Sequence, residues 1–298
     1  MVNWKKIVEK NRLRAREVKQ EIGWWDGGCC NRHDKSIGLT GKRGSNTDHI
    51  ALLADRTTMQ RIIAGDRNSM TSPKLDKILK TLQSLSNPEA VAGMARFGIN
   101  PKNTYGISIP NLRKLAKEIG VDHDLAQKLW TGGIHEGRIL ATMIDDPRRV
   151  TEKQMEKWVK DFDSWDVCDQ CCMNLFEKTR YAYRKAMKWS SRREEFVKRA
   201  GYTLMARLAV SDKGASDTEF ERFLPLIRRG APDERNYVKK AVNWALRQIG
   251  KRNARLHRHA LKTAKEIHAM DSTSARWVAA DAIRELTSKQ VRQRLRIE

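Results

Sequence analysis

From residue 72 onward, apolar residues return every three or four positions, and this period limits the fold more than any other feature. Leu75, Ile78, Leu79, Leu82 and Leu85 form one such stripe. A repeat near 3.6 residues gathers side chains on one face of a helix, whereas a strand needs a repeat of two. Similar stripes cover about 108–119, 124–130, 134–145, 151–161 and 165–178. They continue over about 192–210, 216–229, 232–250, 253–270 and 273–286. Breaks fall at Asn87-Pro88, Asp146-Pro147, Gly214, Gly230-Ala-Pro232 and Gly250, where proline or glycine ends a helix. No alternating β-branched run is long enough for a sheet. The expected fold class is all-α. Helix pairs return about every 35–45 residues, the rhythm of an α-solenoid of HEAT-like repeats, with a non-repeating helical bundle as the alternative.

The first 69 residues read differently. A basic amphipathic helix fits about 3–21 and another about 48–63. Between them lie Gly23 to Gly28, the Cys29-Cys30 pair, and a glycine-rich stretch from Gly38 to Gly44. Met70 then precedes Ser72, an N-cap residue, and Pro73, suited to the first helical position. The expected organisation is a basic appendage over 1–69, weakly structured or accessory, and a helical-repeat domain over 70–298.

Charge points to the partner. The 298-residue chain carries 59 Lys and Arg against 36 Asp and Glu, a net charge of +23. Both parts are basic: 14 against 8 in residues 1–69, and 45 against 28 beyond. A polyanion is the natural ligand, and a solenoid's concave face is wide enough for a duplex. Five cysteines, an odd number, do not make a disulfide framework. No run approaches the roughly 18 apolar residues of a membrane span, and the N-terminus is charged where a signal peptide is apolar. These features lead us to expect a soluble, cytoplasmic protein. Phosphate-loop, dinucleotide, zinc-protease and serine-hydrolase motifs are all missing from the sequence.

Two clusters carry chemistry. In Ser164-Trp165-Asp166-Val-Cys168-Asp169-Gln-Cys171-Cys172, Trp165 and Asp169 share a helix face. Asp166 reads equally as a first-turn acid that complements the helix dipole. Asp169, set among Val167 and cysteines, needs either a buried partner such as an arginine or a functional reason. The cysteines read as small core residues rather than as a zinc site. In the second cluster, Lys240, Trp244, Arg247 and Lys251 follow one stripe, which suits either a phosphodiester backbone or a solvated basic face. Between the clusters, Arg199 enters an apolar run, placed to pair with a buried acid or to reach a phosphate.

Taken in order, these motifs resemble those of the AlkD-like DNA glycosylases. Ser164-Trp165-Asp166-Val-Cys-Asp169 is followed by Lys198-Arg199-Ala and by Lys239-Lys240-Ala-Val-Asn-Trp244-Ala-Leu-Arg247. Upstream stand Met94-Ala-Arg-Phe97 and Tyr105-Gly-Ile-Ser-Ile-Pro-Asn-Leu-Arg113. The resemblance spans about residues 72–290. It implies a C-shaped solenoid that grips duplex DNA on a concave basic face and removes N3- and N7-alkylated purines without flipping the base. It also implies catalysis by Asp169 with Trp165 and Trp244, and DNA contacts from Arg199, Phe97, Lys240, Arg247, Lys251 and Arg113. It calls for no metal and no cofactor, and for a monomer acting on alkylated duplex DNA. Phe97 stands where the family's best-known members carry tyrosine. Two other readings stand beside this one: a non-catalytic repeat protein that binds damaged or branched DNA, and a protein–protein scaffold.

Overall fold

The computed structural model describes residues 72–297, which all belong to one compact unit of the chain. The appendage boundary, its two helices and the Cys29-Cys30 pair lie outside the described residues. Those residues form helices joined by short turns, with no strand among them. In chain order they are α1 (Pro73–Ser84), α2 (Pro88–Arg96), α3 (Ile109–Ile119), α4 (His123–Thr131), α5 (His135–Ile144), α6 (Glu152–Lys160) and α7 (Trp165–Asn174). A short 3-10 turn (Phe176–Lys178) leads into α8 (Ala182–Trp189), α9 (Glu195–Ser211), α10 (Asp217–Glu221) and α11 (Leu224–Gly230). The series ends with α12 (Asn236–Gly250), α13 (Ala254–His268), α14 (Thr273–Leu286) and α15 (Lys289–Leu295).

Helix starts follow local chemistry. Asn87, Asp122, Thr151, Asn253, Ser272 and Ser288 each cap a helix by accepting the backbone N–H three residues on. Three helices escape the apolar stripes, each for a visible reason. Helix α2 fully buries no side chain, so its stripe is too short to read. Helix α8 buries Ala182, Lys185, Ala186 and Trp189, and the lysine hides the pattern. Helix α15 buries only Val291. The stripe at 216–229 divides into α10 and α11, with a proline in the first turn of α11.

The helices stack in two layers. Helices α3, α5, α7, α9, α12 and α14 each touch the next and form one layer. Helix α4 packs on α5, α8 on α9, α11 on α12, and α13 on both α12 and α14, forming the second. This nearest-neighbour stacking is the HEAT-like solenoid expected from the rhythm. The apolar stripes meet between the layers, where one core runs from Leu75 to Leu286. Trp130 and Trp158 stack at 4.0 Å, and the aromatic chain continues through Phe162, Phe176 and Trp189. Gly201 lets α9 press against the end of α8, since a Cβ there would lie 2.4 Å from the Ser190 nitrogen. No described helix is long and apolar enough to cross a membrane.

Candidate functional site

The first layer carries the candidate residues on successive helices. Trp165, Asp166 and Asp169 stand on α7, Arg199 on α9, and Lys240, Trp244 and Arg247 on α12, with Lys251 at its C-cap. The i, i+3, i+4 and i+7 spacing puts Trp165 with Asp169, and Lys240 with Trp244, Arg247 and Lys251, on single stripes.

At the centre, Asp169 and Arg199 form a two-pronged ion pair. Arg199 Nε donates to Asp169 Oδ1 at 3.0 Å, and Nη2 donates to Oδ2 at 2.7 Å. The Thr203 hydroxyl adds a third bond to Oδ1 at 3.1 Å. Arg199 Nη1 donates to the main-chain oxygen of Tyr237 at 2.6 Å. The Trp165 ring centroid lies 5.9 Å from the guanidinium carbon. Asp169 is 3% exposed and Arg199 6%. Burial raises the Asp169 pKa above its ordinary value, and the opposing pull of Arg199 and Thr203 offsets only part of that rise. Burial lowers the Arg199 pKa, but Asp169 outweighs it and the guanidinium holds its proton more tightly than usual. Both Asp169 oxygens thus face guanidinium N–H groups, the geometry of a charge-assisted pair.

A second acid lies one helical step away. Asp166 accepts from His135 Nε2 at 2.8 Å, from the Val167 N–H at 2.9 Å, and from the Ser164 hydroxyl. Burial raises its pKa, yet these donors outweigh burial and hold it below the ordinary range. Burial lowers the His135 pKa, and Asp166 turns the balance upward. The first-turn position of Asp166 thus combines with a specific ion pair.

Cations at the far end of the stripe are already paired. Arg247 and Lys251 both bond Glu285 on α14, and Arg247 lies 3.8 Å from Asp281. Lys240 is half-buried, with no ion pair or hydrogen bond among the described residues, and Arg113 is exposed on α3. Trp244 packs half-buried against the core. Phe97 caps α2 and is 54% exposed, and its carbonyl accepts from Trp165 Nε1 at 3.1 Å. Cys168, Cys171 and Cys172 are free thiols with no exposure. The described residues contain no His, Cys, Asp and Glu group able to hold a metal ion.

The structure joins Trp165, Asp169, Arg199 and the end of α2, and it leaves Arg113 apart. It adds Thr203, His135 and Tyr237. Thr203 was legible, because it lies four residues after Arg199 on one helix. His135 and Tyr237 are 31 and 38 residues from their partners Asp166 and Arg199, and no local pattern announces them.

The DNA alkylation repair enzyme family matches residues 78–286, more than half of the chain. An uncharacterised protein of Listeria innocua is 24% identical over 196 residues, 64% of this chain and 85% of the relative. One from Listeria monocytogenes is 23% identical over the same shares. A solved structure from a family related to the HEAT-like repeat DNA glycosylases, with affinity for branched DNA structures, has a TM-score of 0.63 at 18% identity. That alignment covers 75% of this chain and 97% of the other, and the likeness is one of fold. Through the family match, this chain belongs to the DNA alkylation repair enzyme family.

Proposed function

We propose that the protein binds duplex DNA along the α3–α14 layer and hydrolyses the N-glycosidic bond of N3- and N7-alkylated purines. The two-pronged Asp169–Arg199 pair beside the Trp165 ring is the observation that carries this reading. Alkylation makes the purine cationic, so it departs as a neutral base and needs little acid catalysis. The sugar then gains oxocarbenium character. A nearby carboxylate and the tryptophan faces stabilise that cation, and no metal is required. Arg199 has five N–H groups, of which three are engaged within the protein. The remaining two are donors for a phosphate, so Arg199 can hold the DNA register while it orients Asp169. Lys240 and Arg113, both unpaired, supply further backbone contacts. We assign this work to residues 70–298, acting as a monomer, and an accessory role to residues 1–69.

A second reading, DNA binding without catalysis, draws on one specific feature. Both Asp169 oxygens are occupied and the carboxylate is almost wholly buried. The branched-DNA affinity stated for the structural relative fits this reading too. The deciding experiment is release of free base from duplex DNA containing N7-methylguanine, with binding recorded alongside. Release by the wild type that is lost in folded Asp169→Asn supports the glycosylase. Tight, salt-sensitive binding without release overturns it in favour of the second reading.

A further inference from the structure

Helix α2 ends in two carbonyls that accept hydrogen bonds from distant parts of the chain. Trp165 Nε1 donates to Phe97 O, and Tyr237 Oη donates to Gly98 O, both at 3.1 Å. These contacts span 68 and 139 residues. Carbonyls at a helix C-terminus lack intrahelical partners and carry the negative end of the dipole, so they are good acceptors. No side chain of α2 is fully buried, and Ala90, Val91 and Met94 are half-buried, so these polar contacts add to a modest apolar face.

The loop after α2 is fixed independently. The buried Glu136 carboxylate accepts the N–H groups of Tyr105, Gly106 and Ile107 at 2.6–3.1 Å. The His135 N–H donates to Asn103 O, and Asn100 donates to Asp163. The segment is therefore anchored at its base, and the two aromatic side chains orient its tip.

Both ends of the Tyr237 contact are shaped for it. Gly98 has φ +73°, a left-handed conformation, and a Cβ there would lie 1.9 Å from the Tyr237 hydroxyl. Tyr237 also packs its ring on Phe196 at 5.6 Å and receives Arg199 on its main-chain oxygen. One residue thus touches both the end of α2 and the central ion pair. What this end presents is the exposed Phe97 ring, with Arg96 and Lys102 exposed nearby in the chain.

We propose that Tyr237 is a positioning residue: with Trp165 it holds the end of α2 so that Phe97 projects as an apolar contact against the bases of bound DNA. Cations at Arg96 and Lys102 flank that contact and face the phosphates. A rigid apolar wedge between cations suits a duplex opened or unstacked at one step. The inference rests on the DNA-binding reading above.

The test uses the full chain with Tyr237→Phe, Phe97→Ala and the double variant. Tyr237→Phe removes the hydroxyl and keeps both the ring and the main-chain oxygen. Without DNA, amide exchange over residues 98–104 should quicken roughly 2- to 10-fold in Tyr237→Phe, the worth of one hydrogen bond. Gly98→Ala should quicken the same amides from the other side of the contact. Unchanged exchange in both variants overturns the proposal. With a synthetic duplex carrying one N7-methylguanine, Phe97→Ala should weaken binding about tenfold and Tyr237→Phe a few-fold. The double variant should bind like Phe97→Ala alone, because Tyr237 acts through Phe97. Effects that multiply in the double variant overturn the positioning role while leaving DNA binding intact. A wild-type protein that binds no DNA overturns both this proposal and the functional reading.

Discussion

Replacing Asp169 with asparagine is the natural catalytic test, and the structure gives it a large effect on folding. Both side chains of the Asp169–Arg199 pair are buried, at 4% and 8% exposure, so solvent screens them little. Arg199 donates to both Asp169 oxygens. Either orientation of the asparagine amide therefore turns its NH2 toward a guanidinium N–H. The guanidinium cannot shed its proton, so it stays charged without a counter-ion. Breaking a buried pair this way costs about 3–5 kcal/mol. In a domain of this size, each kcal/mol moves the melting temperature by about 2–4 °C, so the expected fall is roughly 6–20 °C. Thermal melts followed by circular dichroism measure it directly. A shift below about 3 °C, a loss of near 1 kcal/mol, would mean that the pair is not a desolvated ion pair and refute the reasoning. The double variant Asp169→Leu with Arg199→Met removes both charges, and it should melt closer to wild type than Asp169→Asn does. Base release by Asp169→Asn is accordingly informative only at temperatures where the variant is folded.

Three further outcomes follow from the same electrostatics. Glu285→Gln releases Arg247 and Lys251 from their shared acid, and DNA affinity should rise with a log–log salt slope steeper by about 1–2. An unchanged slope in a salt titration would show that these cations do not meet phosphate. The folded pKa of His135 lies above its ordinary value, so its stabilising effect is complete below about pH 6.5 and is lost as pH rises through the raised value. Melting temperature should therefore fall across that range in wild type and less steeply in His135→Gln, and parallel curves would count against the His135–Asp166 pair. Burial pushes the Cys171 and Cys172 thiols well above their ordinary values, so both should resist iodoacetamide at neutral pH until the protein is denatured. Rapid labelling of either in native protein, read by peptide mapping, would contradict their burial.

The fold was legible wherever helices bury apolar stripes. The stripes at 108–119, 134–145 and 273–286 coincide with α3, α5 and α14 within a residue or so, because the face that packs is also the face that repeats. Legibility fails where burial takes another form. Lys185 is fully buried in α8 because Glu152 and Glu156 on α6 receive it, and no hydropathy pattern marks such a position as core. Helix α2 fully buries no side chain and offers only the half-buried Ala90, Val91 and Met94, too short a stripe to read, while Asn87 caps its start.

The site divides along the same physical line. Residues that act along one helix could be found by spacing, as Trp165 with Asp169 and the stripe of α12 were. Which groups neutralise each other is a matter of contact between helices, and spacing is silent on it. The reading of Lys240, Arg247 and Lys251 as one basic stripe treats three cations as equals. Packing α14 beside α12 brings Glu285 to two of them and leaves Lys240 alone. The same holds for Asp169, whose apolar surroundings called for either an arginine or a function. The fold supplies the arginine from the next helix, and the Trp165 ring lies beside that guanidinium. A buried ion pair is weak evidence for stability in itself, because hydrophobic replacements are often neutral or better. Its position beside a half-exposed tryptophan, on the layer that carries the unpaired Lys240, is the stronger argument that it serves the site rather than the core.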